Sequence, residues 1–186
     1  MNRARELEKF IKDYSERGFR FACQLCRSEE EAKELVQEAF FRVIRHWDKF
    51  EPSSNPESWF LTILRHVYLD AAKRYERKNC RSLDALVHGE DGSPRAFSEV
   101  IADAREEAPL DRLEREELGA KTRAVLDGLV PEHKAVLTLC DMEGLHYEEI
   151  AVVLDCPLGT VRSRINRARE AFKRKFLESC REVVES

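Results

Sequence analysis

Tyr147-Glu-Glu-Ile-Ala-Val-Val-Leu-Asp-Cys-Pro-Leu-Gly-Thr-Val-Arg-Ser-Arg-Ile-Asn-Arg-Ala-Arg169 reads as two short helices joined by a tight turn. Tyr147, Ile150, Ala151 and Leu154 recur at helical spacing, and Asp155-Cys156-Pro157 interrupts them. A second apolar stripe then follows through Leu158, Val161, Ile165, Ala168 and Phe172. The small Ala151 allows close approach of the two helices, and Pro157 has the fixed φ suited to the first turn of the second. This is the pattern of a helix-turn-helix.

Opposite the apolar stripe stand Thr160, Arg162, Ser163, Arg164, Asn166 and Arg167. From Leu158 to Lys175 seven Lys or Arg face a single acid, Glu170, which suits a helix lying against phosphates. Arg and Asn also have the donor geometry for guanine and adenine edges in the major groove, which the early residues of a recognition helix reach. A solvated basic helix is the plain alternative, and the preceding helix and turn argue against it.

Working outward, almost all the periodicity is helical and no strand-like alternation is evident, so the fold class is all-α. Residues 5–27 predict a first helix, which Gly18 weakens by about 1 kcal/mol relative to Ala. Ser28-Glu-Glu-Glu31 fits a capping box that opens a second, and Asn55-Pro56 supplies an N-cap and first residue for a third reaching about Lys78. After Asn79 the periodicity dissolves into Ser82-Leu-Asp-Ala-Leu86 and the turn-rich His88-Gly-Glu-Asp-Gly-Ser-Pro94. Order returns near Leu110, with helices expected over 118–129, 132–142, 147–154 and 158–179 and a left-handed stop at Gly144. Two small helical domains, 1–79 and 114–180, joined by a flexible acidic linker over 80–113, follow from these signals.

The formal charge of −4 over 186 residues conceals an uneven distribution. Residues 1–80 carry 16 basic and 14 acidic side chains, 81–120 carry 5 and 11, and 121–186 carry 11 of each. The acid is concentrated in the middle, so the net charge does not argue against a nucleic-acid partner. No apolar run approaches the roughly 20 residues of a membrane span, and Met-Asn-Arg-Ala-Arg-Glu lacks the apolar core of a signal peptide. The expectation is a cytoplasmic protein without membrane insertion, its six cysteines mostly reduced.

Two helical faces in the first half attract attention. In the second helix Ala32, Val36, Ala39, Phe40, Val43 and Trp47 form an inward stripe, leaving Glu34, Gln37, Glu38, Phe41 and Arg45 outside. An outward aromatic among charged groups has the composition of a protein contact centre, although single exposed apolar residues are common. In the third helix Phe60, Ile63, Leu64, Val67, Ala71 and Tyr75 are assigned to the core. Trp59, Thr62, His66, Leu69 and Lys73 line another side, with Arg65, Arg74, Arg77 and Lys78 near. Trp59 either stacks on an unpaired nucleobase or closes the core at the helix start.

These motifs, in this order, resemble the bacterial RNA polymerase sigma factors of the extracytoplasmic-function type. Glu34-Leu-Val-Gln-Glu-Ala-Phe40 is similar to the part of conserved region 2 that docks on the polymerase clamp helices, and the segment Trp59–Asp70 resembles the part that melts and reads the minus-ten element. The segments Leu129–Leu139, Glu143–Ala151 and Cys156–Arg164 resemble region 4, which binds the minus-thirty-five element. The resemblance implies a dissociable promoter-specificity subunit that binds core RNA polymerase and promoter DNA, has no catalytic chemistry or cofactor, and is held by an anti-sigma factor. It assigns core binding to Leu35, Gln37, Glu38 and Phe41. Minus-ten contacts fall to Trp59, Thr62, Arg65, His66, Lys73 and Arg74, with the 48–57 loop capturing an extruded base. Minus-thirty-five contacts fall to Thr160, Val161, Arg162, Ser163, Arg164, Asn166 and Arg167, and the acidic linker is implied to run toward the RNA exit channel.

Three features depart from the family pattern. His66 stands where many relatives have Asn, His146 replaces a Ser or Thr N-cap worth about 1 kcal/mol, and Leu129-Val-Pro131 loosens a Leu-Pro pair. Cys23-Gln-Leu-Cys26 has CxxC spacing, but no second pair completes a metal site, so core packing is favoured over redox sensing or zinc. The competing functional reading is a free-standing DNA-binding regulator, separated from a sigma factor by polymerase binding. An enzyme ranks below both, because no phosphate loop or catalytic constellation is present in the sequence.

Overall fold

The computed structural model describes residues 2–51, 55–81 and 109–184. The element order is α1 (Asn2–Leu25), α2 (Glu29–Arg45), a single 3-10 turn (Trp47–Lys49), α3 (Pro56–Arg81), α4 (Pro109–Asp127), α5 (Pro131–Leu137), α6 (Tyr147–Leu154) and α7 (Leu158–Val184). A short π-helical segment, Thr138–Met142, continues α5. All regular structure among the described residues is helical. The expected linker lies mostly outside the described residues, and α4 begins within its last few positions.

Local chemistry explains most boundaries. Ser28 Oγ accepts from the Glu31 backbone N–H at 3.1 Å, while the Glu31 carboxylate reaches back to the Arg27 N–H at 3.0 Å. Asn55 Oδ1 accepts from the N–H groups of Glu57 and Ser58 ahead of Pro56. Gly144 takes φ +68 as it ends the π segment, and Asp155 closes α6 in the left-handed region at φ 47. His146 lacks the hydroxyl of a good cap, but the Glu149 carboxylate accepts from its backbone N–H at 2.8 Å and supplies half of a capping box.

α1, α2 and α3 pack around Phe21, Leu25, Ala32, Ala39, Val43, Phe60 and Leu64. α4 to α7 pack around Leu129, Val136, Leu139, Ile150, Val153, Val161, Ile165 and Ala168. The two groups do not stay apart. α5 and α6 lie against α3, the π segment touches α1, and the buried apolar residues form one continuous cluster.

That docking corrects the reading of α3. Tyr75 is 65% exposed and Ala71 is exposed, whereas Leu61 and Leu69 are buried. A helix covered on two sides does not show the single stripe that periodicity assigns to it. Gly18 was read only as a weak point. A Cβ there would stand 2.5 Å from Phe60 Cε1, so glycine is what lets α1 meet the Phe60 ring.

Candidate nucleic-acid and polymerase interfaces

α7 is anchored by Val161, Ile165 and Ala168, each without exposed surface. Holding those three inward turns Arg162, Arg164, Asn166 and Arg167 to solvent, with Thr160 and Ser163 half-buried at the rim. Pro157 precedes the helix, and its carbonyl accepts from the Thr160 and Val161 N–H groups at 2.8 and 3.2 Å. Ser163 Oγ donates to the Thr160 carbonyl, and Arg167 folds along the helix to the Ser163 carbonyl and hydroxyl. Val161, expected among the DNA contacts, is fully buried in the core cluster and leaves no side-chain surface for a base edge.

The basic run is not uniformly free. Arg169 makes an ion pair with Asp141 of the π segment at 2.5 Å, and that hydrogen bond raises its guanidinium's proton affinity further. It clasps the middle of α7 to the π segment, while Arg162, Arg164 and Arg167 on the earlier turns stay exposed. A free cation and a clasped one have the same letter in sequence, and only the position of Asp141 in the fold separates them.

On α2 the outward face carries Gln37, with Phe41 61% exposed and Ile44 52% exposed. Positions 37, 41 and 44 share one helical stripe, so Ile44 extends the apolar patch that the sequence reading credited to Phe41 alone. The 37/41/44 spacing was its available signal. Glu38 is held by Arg42 at 3.0 Å, and Arg42 also pairs with Asp70 of α3 at 3.0 Å, which fixes the edge of this face against α3. Leu35, expected at the polymerase surface, lies in the core at 6% exposure, because it faces the layer beneath α2 rather than solvent.

The residues expected to meet the minus-ten strand are distributed along α3. Trp59 is half-buried in an aromatic cluster, with ring centroids 5.0 Å from Phe50, 5.8 Å from Phe10 and 6.1 Å from Trp47. This cluster ties α1 and the 3-10 turn to the start of α3. Thr62 Oγ1 donates to the Ser58 carbonyl at 2.7 Å. Lys73 and Arg74 are exposed on the far half of the helix. Arg65 is half-buried, and burial followed by the nearby Arg164 guanidinium lowers its proton affinity. Partial burial, then Arg65, lowers the proton affinity of the His66 imidazole as well, which favours the neutral ring.

Cys23 and Cys26 are free thiols facing the packed layer below α1. Burial raises both, Cys26 to about 12, which disfavours the thiolate that oxidation chemistry uses. No group of three His, Cys, Asp or Glu side chains among the described residues is arranged to hold a metal ion. No helix among them is long and apolar enough to cross a membrane.

The two packed halves coincide with two known modules. Residues 10–78 match the family model of Sigma-70 region 2, and residues 120–172 match that of Sigma-70, region 4. Together they define a sigma-70-type transcription factor. The chain is 33% identical over 182 residues to the ECF RNA polymerase sigma factor SigE of Mycolicibacterium smegmatis, covering 96% of this chain and 65% of that relative. It is 35% identical over 147 residues to the ECF RNA polymerase sigma-E factor of Escherichia coli K12, covering 76% of this chain and 72% of that one. The fold is similar to the sigma factor RpoE of Bartonella quintana, solved with the anti-sigma factor NepR, with TM-score 0.65, 21% identity, and coverage of 91% and 96% of the two chains. The chain belongs to the extracytoplasmic-function sigma factors, the RNA polymerase subunits that confer promoter specificity.

Proposed function

We propose that this sigma factor docks on core RNA polymerase through Gln37, Glu38, Phe41 and Ile44, and reads its promoter with α3 and α7. On α7 the division of labour follows from side-chain chemistry. Arg162 and Asn166, exposed and one turn apart, have the donor and acceptor pattern for base edges, while Arg164, Arg167 and the Thr160 hydroxyl engage phosphates. Ser163 positions Arg167 through its carbonyl and hydroxyl. On α3 the exposed Lys73 and Arg74 track the backbone of the unwound strand, and Thr62, Arg65 and His66 lie beside the base captured by the preceding loop.

No step in this scheme calls for catalysis by the chain itself, since bond formation belongs to the polymerase. An anti-sigma factor is the proposed regulator, and the cytoplasm the proposed site of action. The observation that carries the reading is the cationic face on the first turns of α7, held outward by three fully buried residues, on the same chain as an exposed aromatic and aliphatic patch on α2.

In vitro transcription tests it directly. The purified chain is added to bacterial core polymerase and a pool of genomic promoter fragments. Initiation that depends on this chain, at sites sharing spaced minus-ten and minus-thirty-five elements, is the expected result. Specific duplex binding without polymerase and no dependent initiation would replace it with a free-standing regulator.

A further inference from the structure

Arg169 lies on the stripe of α7 that also carries Arg162 and Asn166, which precede it by seven and three residues. Unlike them, it is already engaged. A terminal nitrogen donates to Asp141 Oδ1 at 2.5 Å and Nε donates to Oδ2 at 3.4 Å, a guanidinium fork on a carboxylate, and the same terminal nitrogen reaches Cys140 Sγ at 3.6 Å. Asp141 projects from a fixed platform. Thr138 and Leu139 of the π segment have no exposed surface, Thr138 Oγ1 donates to the Lys134 carbonyl at 2.9 Å, and the Glu143 N–H closes the widened turn on the Thr138 carbonyl at 2.9 Å. Beside Arg169 the buried stripe of α7 offers only the methyl group of Ala168, a weak brake on rotation about the helix axis.

With side chains 48% and 43% exposed, the Arg169–Asp141 pair adds little to stability. Its geometry matters more than its energy. A roll of about 20° carries a side-chain tip about 2 Å around a helix ~10–12 Å across. A bidentate contact to a base edge, two hydrogen bonds of about 3 Å, does not survive that shift, whereas a flexible side chain on a phosphate follows it. We propose that Arg169 and Asp141 are positioning residues for sequence recognition: their fork fixes the rotation of α7 so that Arg162 and Asn166 meet base edges squarely, and it holds the Arg169 guanidinium back from the phosphates. Loss of the fork then costs discrimination between sequences more than affinity. The proposal rests on the assignment of α7 to the minus-thirty-five duplex.

The test uses the holoenzyme, reconstituted from bacterial core polymerase and the full chain. It is titrated with a fluorescent duplex of a promoter it transcribes, and with the same duplex carrying base changes in the minus-thirty-five element, each over a range of salt. For Arg169→Met the expected result is about a tenfold fall in the ratio of the two affinities, with the slope of log affinity against log salt unchanged because no phosphate contact is lost. Asp141→Asn should lower the ratio as well and steepen the slope by about one, as the freed guanidinium finds a phosphate. Exchanging the two residues, Asp141→Arg with Arg169→Asp, should restore both values. An unchanged ratio in Arg169→Met overturns the positioning role. Equal weakening on both duplexes with a slope reduced by about one makes Arg169 a phosphate contact and overturns it too, and a fall that the exchange does not restore assigns the effect to packing instead of the fork. An unchanged slope in Asp141→Asn removes the claim that the carboxylate holds Arg169 off the DNA. Arg162→Ala separates this proposal from the reading beneath it: if it also leaves the ratio unchanged, the assignment of α7 to the minus-thirty-five element falls, whereas a collapsed ratio there beside an unchanged one in Arg169→Met rejects the clasp alone.

Discussion

At Gly18 the missing side chain does structural work that helix propensity conceals. Gly18→Ala gains about 1 kcal/mol of helix propensity but drives a methyl group to 2.5 Å from a Phe60 ring already packed against Phe10, Tyr14 and Phe40. Overpacking of this kind costs about 1–3 kcal/mol. The expected outcome is a net loss of stability, seen as a lower urea midpoint with an unchanged slope, and a stabilised variant would contradict the close approach. Arg162 belongs to the same scale but to recognition. Its exposure over buried Val161 and Ile165 predicts that Arg162→Ala weakens minus-thirty-five duplex binding by about 1–3 kcal/mol and leaves core-polymerase affinity intact. Equal losses in both assays would contradict two separate surfaces. Cys26 supplies a third test, since a thiol pushed up to about 12 by burial is almost wholly protonated at pH 8. Its alkylation in the native chain should be at least ~100-fold slower than in urea, as mass spectrometry of iodoacetamide-treated protein would report; comparable rates would return the CxxC pair to consideration as a redox site.

Among the elements, α2 separates packing from contact most clearly. Ala32, Leu35, Ala39 and Val43 are buried, while Gln37, Phe41 and Ile44 share the opposite stripe. Truncating Phe41 therefore removes little from the core. The double substitution Gln37→Ala and Phe41→Ala should leave the melting temperature nearly unchanged and weaken holoenzyme formation by more than about 2 kcal/mol, the range of an interface hot spot. Unaltered affinity for core polymerase in a competition assay would remove α2 as the docking element. This helix was largely readable from sequence because one face is buried and the other is not, the exception being Leu35, expected outside and found in the core, and its Ser28 cap announces itself in the Ser-x-x-Glu spacing. α3 was misread for the converse reason. Leu69 was assigned away from the core and Tyr75 toward it, whereas region 4 covers a second side of α3 and Tyr75 lies beyond the packed stretch. Periodicity carries the orientation of a helix against one neighbour; the second neighbour here comes from residues more than fifty positions away.

For the whole molecule, that same long-range docking is the property local patterns could not carry. Helix caps, the turn at Asp155–Pro157 and the basic face of α7 are all local chemistry, and they pointed to two domains. Nothing local marks Lys134 as buried beneath the end of α1 or Glu143 as facing Arg17 and Arg20, because each looks like a surface charge until its partner is placed. The consequence is thermodynamic. Two helical domains joined only by a linker melt independently, each with its own transition. Here the buried apolar residues of both domains form one continuous cluster, and two buried charges depend on partners across the boundary. Opening one domain exposes part of the other's core and strands those charges, which couples the two unfolding events. Calorimetry of the full chain should therefore show one transition, with calorimetric and van't Hoff enthalpies equal. Lys134→Met keeps the length of the side chain but loses the bonds to the Leu25 carbonyl and Asp127. It should lower the midpoint by roughly 2–4 °C per kcal/mol lost and broaden the transition until two components separate. Two resolved transitions in the wild-type chain would mean that the domains dock too weakly to share a core.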